Sequence, residues 1–577
     1  MIPRFRLKSL RARVSRESIC GSHVIVRSPT QPRPVRSRTK LVLVGLAYLG
    51  VVGAALAATQ VGKVSLNQKS KPASCVLVNS VKLEGVSLLS LATLKPTYAQ
   101  LEHHCLEGTV LNDVLKAITA AYIDKGFVTT RAYVSAQDVG KTHVLKITVV
   151  EGKLSEFYDS GKAAPDKTEI KMAFPNLQGK YLNVRDIEQG LDQLNSVAIT
   201  NSKSDFVAGK TPGETIVNMT GLPHPQMHLT LANNNHGSMQ TGLSQSSAIL
   251  EAGDLLHLDE TISVTYQHTG PDYPFSGNYG NGYSNSISGN FNIPFGYWTG
   301  NLHASHYFYE SNVAGAFGPI NTTGSSDDYG GSVSRVISRD QNSKTSFSAA
   351  LDTKASTNFL LGNVIETGTR QYTVAALTLS RSMKGLGGLW SFDGTYSNGL
   401  GILGATPPGA PGVGNADPLF SKVSSNISYL RSIELGKAKL EYSGTISGQW
   451  SPSNLLGSEQ FSIGGYSTVR GVRDGVGFGN DGAFIRNQID LDGFTIQGPR
   501  AQKMFGEIRP YVGLDYGHIF GQPDLGIVDA DAAGWTVGIH NRGGNFAFDA
   551  GYSSLFYNTS ASNASNGVFF ASGSYFF

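Results

Sequence analysis

Ala438-Lys-Leu-Glu-Tyr-Ser-Gly-Thr-Ile-Ser-Gly-Gln-Trp450 alternates over its whole length. Successive side chains of a β-strand point to opposite faces. Ala438, Leu440, Tyr442, Gly444, Ile446, Gly448 and Trp450 therefore share one face, and Lys439, Glu441, Ser443, Thr445, Ser447 and Gln449 the other. The first face is apolar and ends on an aromatic. The second is polar and places two charges close together. This division suits a strand with lipid outside and water inside. A soluble two-sheet sandwich also alternates, but it need not crowd two charges onto one face.

The same pattern recurs on either side of this segment. Gly567-Val-Phe-Phe-Ala-Ser-Gly-Ser-Tyr-Phe-Phe577 puts Phe569, Ala571, Gly573, Tyr575 and Phe577 on one face and Phe570, Ser572, Ser574 and Phe576 on the other. An unpaired edge strand is a template for aggregation, and closing the sheet removes it. From about residue 226 onward, alternating segments are separated by Gly/Asn/Ser/Pro clusters. Sixteen candidate strands start near 226, 238, 259, 283, 298, 326, 342, 367, 386, 419, 436, 483, 505, 532, 543 and 567. The count is even, as in bacterial outer-membrane barrels. The predicted fold is a membrane β-barrel of about 16 antiparallel strands over 226–577, preceded by two small α/β units. Composition agrees: glycine is 68 of 577 residues, well above the ~7% average. A mean hydropathy of −0.13 excludes a helical membrane protein.

Residues 1–57 read as a secretory signal peptide with a long basic n-region. They hold eleven Lys/Arg and one acid, Glu17, followed by an apolar run and Ala55-Leu-Ala57. A membrane-anchor helix is the competing reading of that run. Without residues 1–57 the formal charge of +4 turns negative, so the basic balance implies no nucleic-acid partner. Cys75 and Cys105 are left as an even pair in an exported chain, for which a disulfide is expected. A metal site at His103, His104 and Cys105 matches no zinc spacing. None of the thirteen histidines shows one, and no metal or cofactor is expected.

Residues 58–74 read as a short polar linker, and 75–153 as the first α/β unit. There Thr109 is the expected cap of a helix carrying Leu111, Val114, Leu115, Ile118 and Tyr122 on one face, stopped by Gly126. Residues 154–222 read as a second copy, with a helix over Val184–Leu194 and a strand over Glu214–Met219.

Ala121-Tyr-Ile-Asp-Lys-Gly-Phe-Val-Thr-Thr-Arg-Ala-Tyr-Val134, Gln137-Asp138 and Val149-Val-Glu-Gly-Lys153 resemble the first periplasmic (POTRA, polypeptide-transport-associated) domain of two-partner secretion transporters, also called haemolysin secretion/activation proteins. Asp186-Ile-Glu-Gln-Gly-Leu-Asp-Gln-Leu-Asn195 with Pro212-Gly213 resembles the second. The resemblance covers 75–577 and implies a Gram-negative outer-membrane location with residues 58–222 in the periplasm. Its implied partners are a secreted exoprotein, unfolded in transit, outer-membrane lipid, and the barrel-assembly machinery acting through the C-terminal Phe577. Some members of the family also carry the paired cysteines.

The segment 451–482 is too long to be only a connector. Its Val469-Arg470-Gly471 resembles the family's inward-folded loop, whose arginine pairs with an aspartate on a barrel strand. The matching strand is Phe505-Gly-Glu-Ile-Arg-Pro-Tyr-Val-Gly-Leu-Asp-Tyr-Gly517. Alternation alone turns Glu507, Arg509, Tyr511, Gly513, Asp515 and Gly517 to the lumen, and a shielded carboxylate there needs a partner. Arg470 with Asp515 is the expected ion pair, with Val469, Gly471 and Gly517 as its motif neighbours. The chain departs from the family at Val472, usually aromatic, and Gly513, usually Phe. Residues 58–74 are also too few for the helix that plugs the barrel in many members.

Gly477-Phe-Gly-Asn-Asp-Gly482 matches a dinucleotide-binding pattern without the strand–turn–helix unit that would give it meaning. No P-loop, H-E-x-x-H or G-x-S-x-G occurs, and no catalytic residue is nominated. The expected function is an outer-membrane pore that exports a large partner exoprotein without nucleotide hydrolysis. A barrel-assembly insertase of the same superfamily is the alternative, ahead of a barrel enzyme or a passive porin. POTRA-type units offer edges and grooves to extended peptides. The candidate partner-binding residues are Val184, Ile187, Leu191 and Leu194 on the helix, and Glu214 and Ile216 on the strand.

Overall fold

In the computed structural model the described residues are 76–164, 166–197, 200–238, 240–270, 282–315, 318–559 and 567–577. The predicted signal peptide, the linker and Cys75 lie outside them.

Among the described residues a closed antiparallel barrel runs from Gln226–Asn234 to Val568–Phe576 through sixteen full-length strands. Two-residue pairings at Asn363–Val364 and Phe494–Thr495 supplement it. Fourteen strands begin within three residues of the positions predicted from alternation. The second begins at Ser244 rather than 238, because Asn235 leaves the ladder to cap the last strand, donating to Phe569 O at 2.8 Å and accepting from Ala571 N at 2.8 Å. The sixth begins at Gly318 rather than 326. It and its neighbour Trp298–Gly315 have 22 and 18 residues. At ~3.4 Å per residue they outrun a ~30 Å hydrocarbon core even when tilted. Ladder pairing, rather than an apolar face, carries their outer parts. The seam between first and last strands is short, from Thr230↔Phe576 to Asn234↔Ser572.

The lipid face follows the alternation. Val512, Leu514 and Tyr516 are exposed while Tyr511, Gly513, Asp515 and Gly517 are buried. On the last strand Phe569 is exposed and Phe570 is buried in the lumen.

In the first periplasmic unit, Ser80–Glu84 pairs parallel to Val144–Val150, which pairs antiparallel to Arg131–Tyr133. The helix Gly108–Asp124 packs Val114, Ile118 and Tyr122 beneath this sheet, and a second helix, Leu91–Tyr98, joins the same core. Thr109 lies inside the helix, whose cap position is Glu107. Glu151 explains two motif residues at once. It accepts hydrogen bonds from Ser87 N, Leu88 N and Tyr122 OH, each at 2.8 Å, and from the Ser87 hydroxyl. Burial opposes its charge, but these donors outweigh burial and hold it below the usual carboxylate range. Burial first, and Glu151 second, raise Tyr122. Cys105 is disulfide-bonded, and the register Leu77↔Cys105 lays the residues just after Cys75 alongside it.

The second unit is a four-stranded sheet in the order Lys162–Ala163, Lys153–Asp159, Glu214–Thr220, Lys203–Ala208. It is covered by the helices Thr168–Ala173 and Val184–Leu194. The two units meet tightly. Asn183 caps the second helix through Arg185 N and also donates to Lys125 O, so a Cβ on Gly126 (φ +93°) would lie 2.2 Å from its Oδ1.

Candidate functional site: the loop inside the barrel

The segment after Trp450 folds back into the lumen, and its two ends are tied where Ser451 N donates to Asp481 Oδ1 at 2.7 Å. Inside, Phe461–Ile463 pairs with Gly477–Gly479 as a small hairpin. Its apolar residues Ile463, Val469, Val472 and Val476 pack on Ile519, Ala530, Ala532 and Leu555 of the inner wall. Gly477, Gly479 and Gly482, the residues of the false nucleotide pattern, are points of close approach. A Cβ on any of them would come within 3 Å of a wall or loop side chain.

Arg470 sits near the tip of this loop and is 2% exposed; Asp515 is 3% exposed. The guanidinium grips the carboxylate with both arms, Nε to Oδ2 at 2.7 Å and Nη2 to Oδ1 at 2.8 Å, and the Arg470 backbone N–H adds a third bond at 3.1 Å. Nη1 donates to Gln488 Oε1 at 2.9 Å. A buried ion pair offsets its desolvation only when its remaining donors and acceptors are satisfied in this way. Arg486 is the cross-strand neighbour of Asp515, yet it turns instead to the carbonyls of Tyr466 and Ser467 at 2.9 and 3.1 Å. Arg486 thus supports the loop backbone, and Asp515 is left to Arg470.

Glycines make this arrangement fit. A Cβ on Gly513 would lie 2.2 Å from Arg470 Nη2, and one on Gly534 would lie 2.0 Å from Arg470 O. Gly471 has φ +125°, and a Cβ on Gly517 would come 2.8 Å from Val469. The predicted residues Val469, Arg470, Gly471, Asp515 and Gly517 are therefore brought together. The departure at Gly513 gives room to the guanidinium, and Val472 is buried in the loop's apolar contact with the wall.

A second anchor escaped the sequence reading. Glu459, 5% exposed, pairs with Lys354 and Lys422 at 2.8 Å each and accepts from Tyr372 OH at 3.0 Å. These partners lie on the seventh, eighth and tenth strands. At the other side of the lumen, Arg473 donates to Asn235 O at 2.8 Å beside the seam. Tyr466 stacks on His236 at 3.8 Å and donates to Asp549 at 2.8 Å. The loop therefore spans the lumen, held by ionic and aromatic contacts at separated points on the wall. Period-two alternation turns Lys354 and Lys422 inward, but nothing local pairs them with Glu459.

The candidate partner-binding residues are placed otherwise than expected. Ile187 and Leu194 are buried in the second unit's own core, Leu191 packs beside it, and Val184 begins the helix with its N–H bonded to Gly126 O. The helix's polar face is also taken. Gln189 and Gln193 donate to Gly296 O at 3.1 and 2.9 Å, Tyr297 donates to Asp186 at 2.7 Å, and Asp192 pairs with Arg339 and Lys344 at 2.7 and 3.2 Å. This helix docks the unit on the barrel's periplasmic turns and leaves no open groove. Glu214 and Ile216 lie on an interior strand with neighbours on both sides. Lys203–Ala208 is the longer of the sheet's two outer strands, and there Phe206 and Val207 are exposed.

A family profile described as haemolysin secretion/activation protein ShlB/FhaC/HecB matches residues 213–541, more than half of the chain. The chain belongs to this family. ShlB-type POTRA and POTRA profiles match 76–152 and 155–208. The outer membrane transporter CdiB of Escherichia coli is 28% identical over 479 residues, 83% of this chain and 79% of that protein. The haemolysin transporter ShlB of Serratia marcescens is 25% identical over 443 residues, 76% of each. The solved structure of CdiB from Escherichia coli superposes with a TM-score of 0.78 at 25% identity, covering 89% of this chain and 93% of that one. This haemolysin secretion/activation protein is thus an outer-membrane transporter of the two-partner secretion type, with its POTRA domains on the periplasmic side.

Proposed function

We propose that this chain exports one large partner exoprotein, which meets the periplasmic units unfolded and crosses a lumen whose export-competent state needs the 451–482 loop anchored inward. The observation that carries this is the loop itself, spanning the lumen and held by the buried Arg470–Asp515 pair. A loop held by such discrete contacts has a defined inward state, and work at this membrane comes from binding and from the partner folding outside. Capture of the partner falls to the outer strand Lys203–Ala208, which borders a groove shared with Arg131 and Tyr133 of the first unit. Strand addition there would use backbone hydrogen bonds, with Phe206 and Val207 giving selectivity. The test is secretion of the partner by Arg470→Ala, with heat-modifiability of the barrel as the folding control. Secretion is expected to fail while the barrel assembles. Normal secretion by a correctly inserted Arg470→Ala protein would sink the role given to this loop.

A further inference from the structure

Carboxylates that the export reading does not use converge where the second periplasmic unit meets the barrel's first periplasmic turn. Asp254-Leu-Leu-His-Leu-Asp-Glu260 joins the strands Ser244–Gly253 and Thr261–Gly270, and Glu169 approaches it from the helix Thr168–Ala173. Asp254, Asp259 and Glu260 are fully buried. Glu260 is accounted for, accepting from Leu256 N at 2.8 Å and Leu258 N at 3.2 Å. The other two are not. Asp254 Oδ1 accepts from Asp259 N at 3.3 Å, but its Oδ2 has no hydrogen-bond partner, nor has either carboxylate oxygen of Asp259.

His257 Nδ1 lies 3.6 Å from Asp254 Oδ2 and 3.5 Å from Glu169 Oε1, too far for good hydrogen bonds. These are, however, the separations of donors that share one small ion. Ligands at ~2.0–2.1 Å in tetrahedral geometry lie roughly 3.3–3.5 Å apart. Among the described residues no lysine or arginine forms an ion pair with any of the four carboxylates; the only basic side chain paired with them is His257. Leaving buried carboxylate oxygens unpaired is costly.

The geometry points to a divalent transition-metal site formed by Glu169, Asp254 and His257. Its ligands come from both sides of the junction, so an ion would clamp the second periplasmic unit to the turn between the second and third barrel strands. Two carboxylates with one imidazole, and a position open to solvent beside the exposed His257, suit Zn2+ better than Ca2+ or Mg2+, which favour all-oxygen shells. The expectation of no metal rested on local spacing, and Glu169 comes from a segment far in the chain from the turn that carries Asp254 and His257.

The test is calorimetric titration of the tag-free, chelator-stripped full-length mature protein in detergent with Zn2+ and, in separate runs, with Ca2+ and with Mg2+. Saturation at one Zn2+ ion per chain is expected, with Kd at least tenfold weaker in His257→Ala and in Glu169→Gln. The His257 side chain is exposed, so its removal leaves folding intact, and heat-modifiability checks this. The proposal is overturned by the absence of saturable Zn2+ binding, by binding undiminished in both variants, or by saturation with Ca2+ or Mg2+ but not Zn2+.

Discussion

Alanine at Gly534 should release the lumen loop more completely than alanine at Gly513, although both positions touch Arg470. A Cβ at 534 meets the Arg470 carbonyl oxygen at 2.0 Å, and backbone cannot pivot away. Reaching ordinary contact requires the loop to retreat by more than about 1 Å. That movement takes the 2.7, 2.8 and 3.1 Å bonds to Asp515 beyond hydrogen-bonding distance together. Breaking a buried pair costs about 3–5 kcal/mol, roughly a 10²- to 4 × 10³-fold shift from the inward to the released loop at 1.4 kcal/mol per decade. At 513 the new methyl meets Nη2, the end of a flexible side chain, at 2.2 Å. Arginine can rotate and keep its Nε bond, losing the Nη2 bond to Asp515 at 2.8 Å and that to Asn487 O at 3.4 Å. One charge-assisted bond is worth roughly 1.5–3 kcal/mol. Opening frequency in planar bilayers should therefore rise in the order wild type, Gly513→Ala, Gly534→Ala, with partner secretion falling in the same order. The lipid-facing Val512→Ala is the control. Wild-type gating in a correctly folded Gly534→Ala protein, or a stronger effect at 513 than at 534, would refute the packing argument.

Three further outcomes are expected. Cys105 should pair with Cys75, so alkylation of unreduced mature protein should add no label at either position, and reduction should cost the first unit about 3–4 kcal/mol for a loop of roughly 30 residues. Glu151 has a depressed pKa, so its contribution to stability is complete above the usual carboxylate value of about 4.3 and is lost as pH falls through its lower folded value; Glu151→Gln should flatten the acid dependence of protease resistance in residues 76–153, and an unchanged profile would count against this network. A partner fragment should bind the periplasmic region more weakly after Phe206→Asp than after substitution at Ile216 to Val, measured on the full chain; equal affinities would rule out the edge Lys203–Ala208 as the docking strand.

Alternation by itself specified the barrel, since period-two patterning is a property of each segment and needs no knowledge of its neighbours. It placed Asp515 in the lumen, and the family motif supplied Arg470. The tertiary structure decided what depends on which segments meet. Val184–Leu194 reads locally as an amphipathic helix with a face to offer, but its apolar side is consumed by its own unit and its polar side by Gly296, Tyr297 and Arg339. Glu214–Thr220 reads as a strand, and only sheet order shows that it is interior. Glu459 is one acid among many until Lys354 and Lys422 arrive from distant strands. A sequence fixes each residue's face through local backbone geometry, whereas long-range pairing is set by closure of the barrel and by the need to satisfy every charge buried inside it.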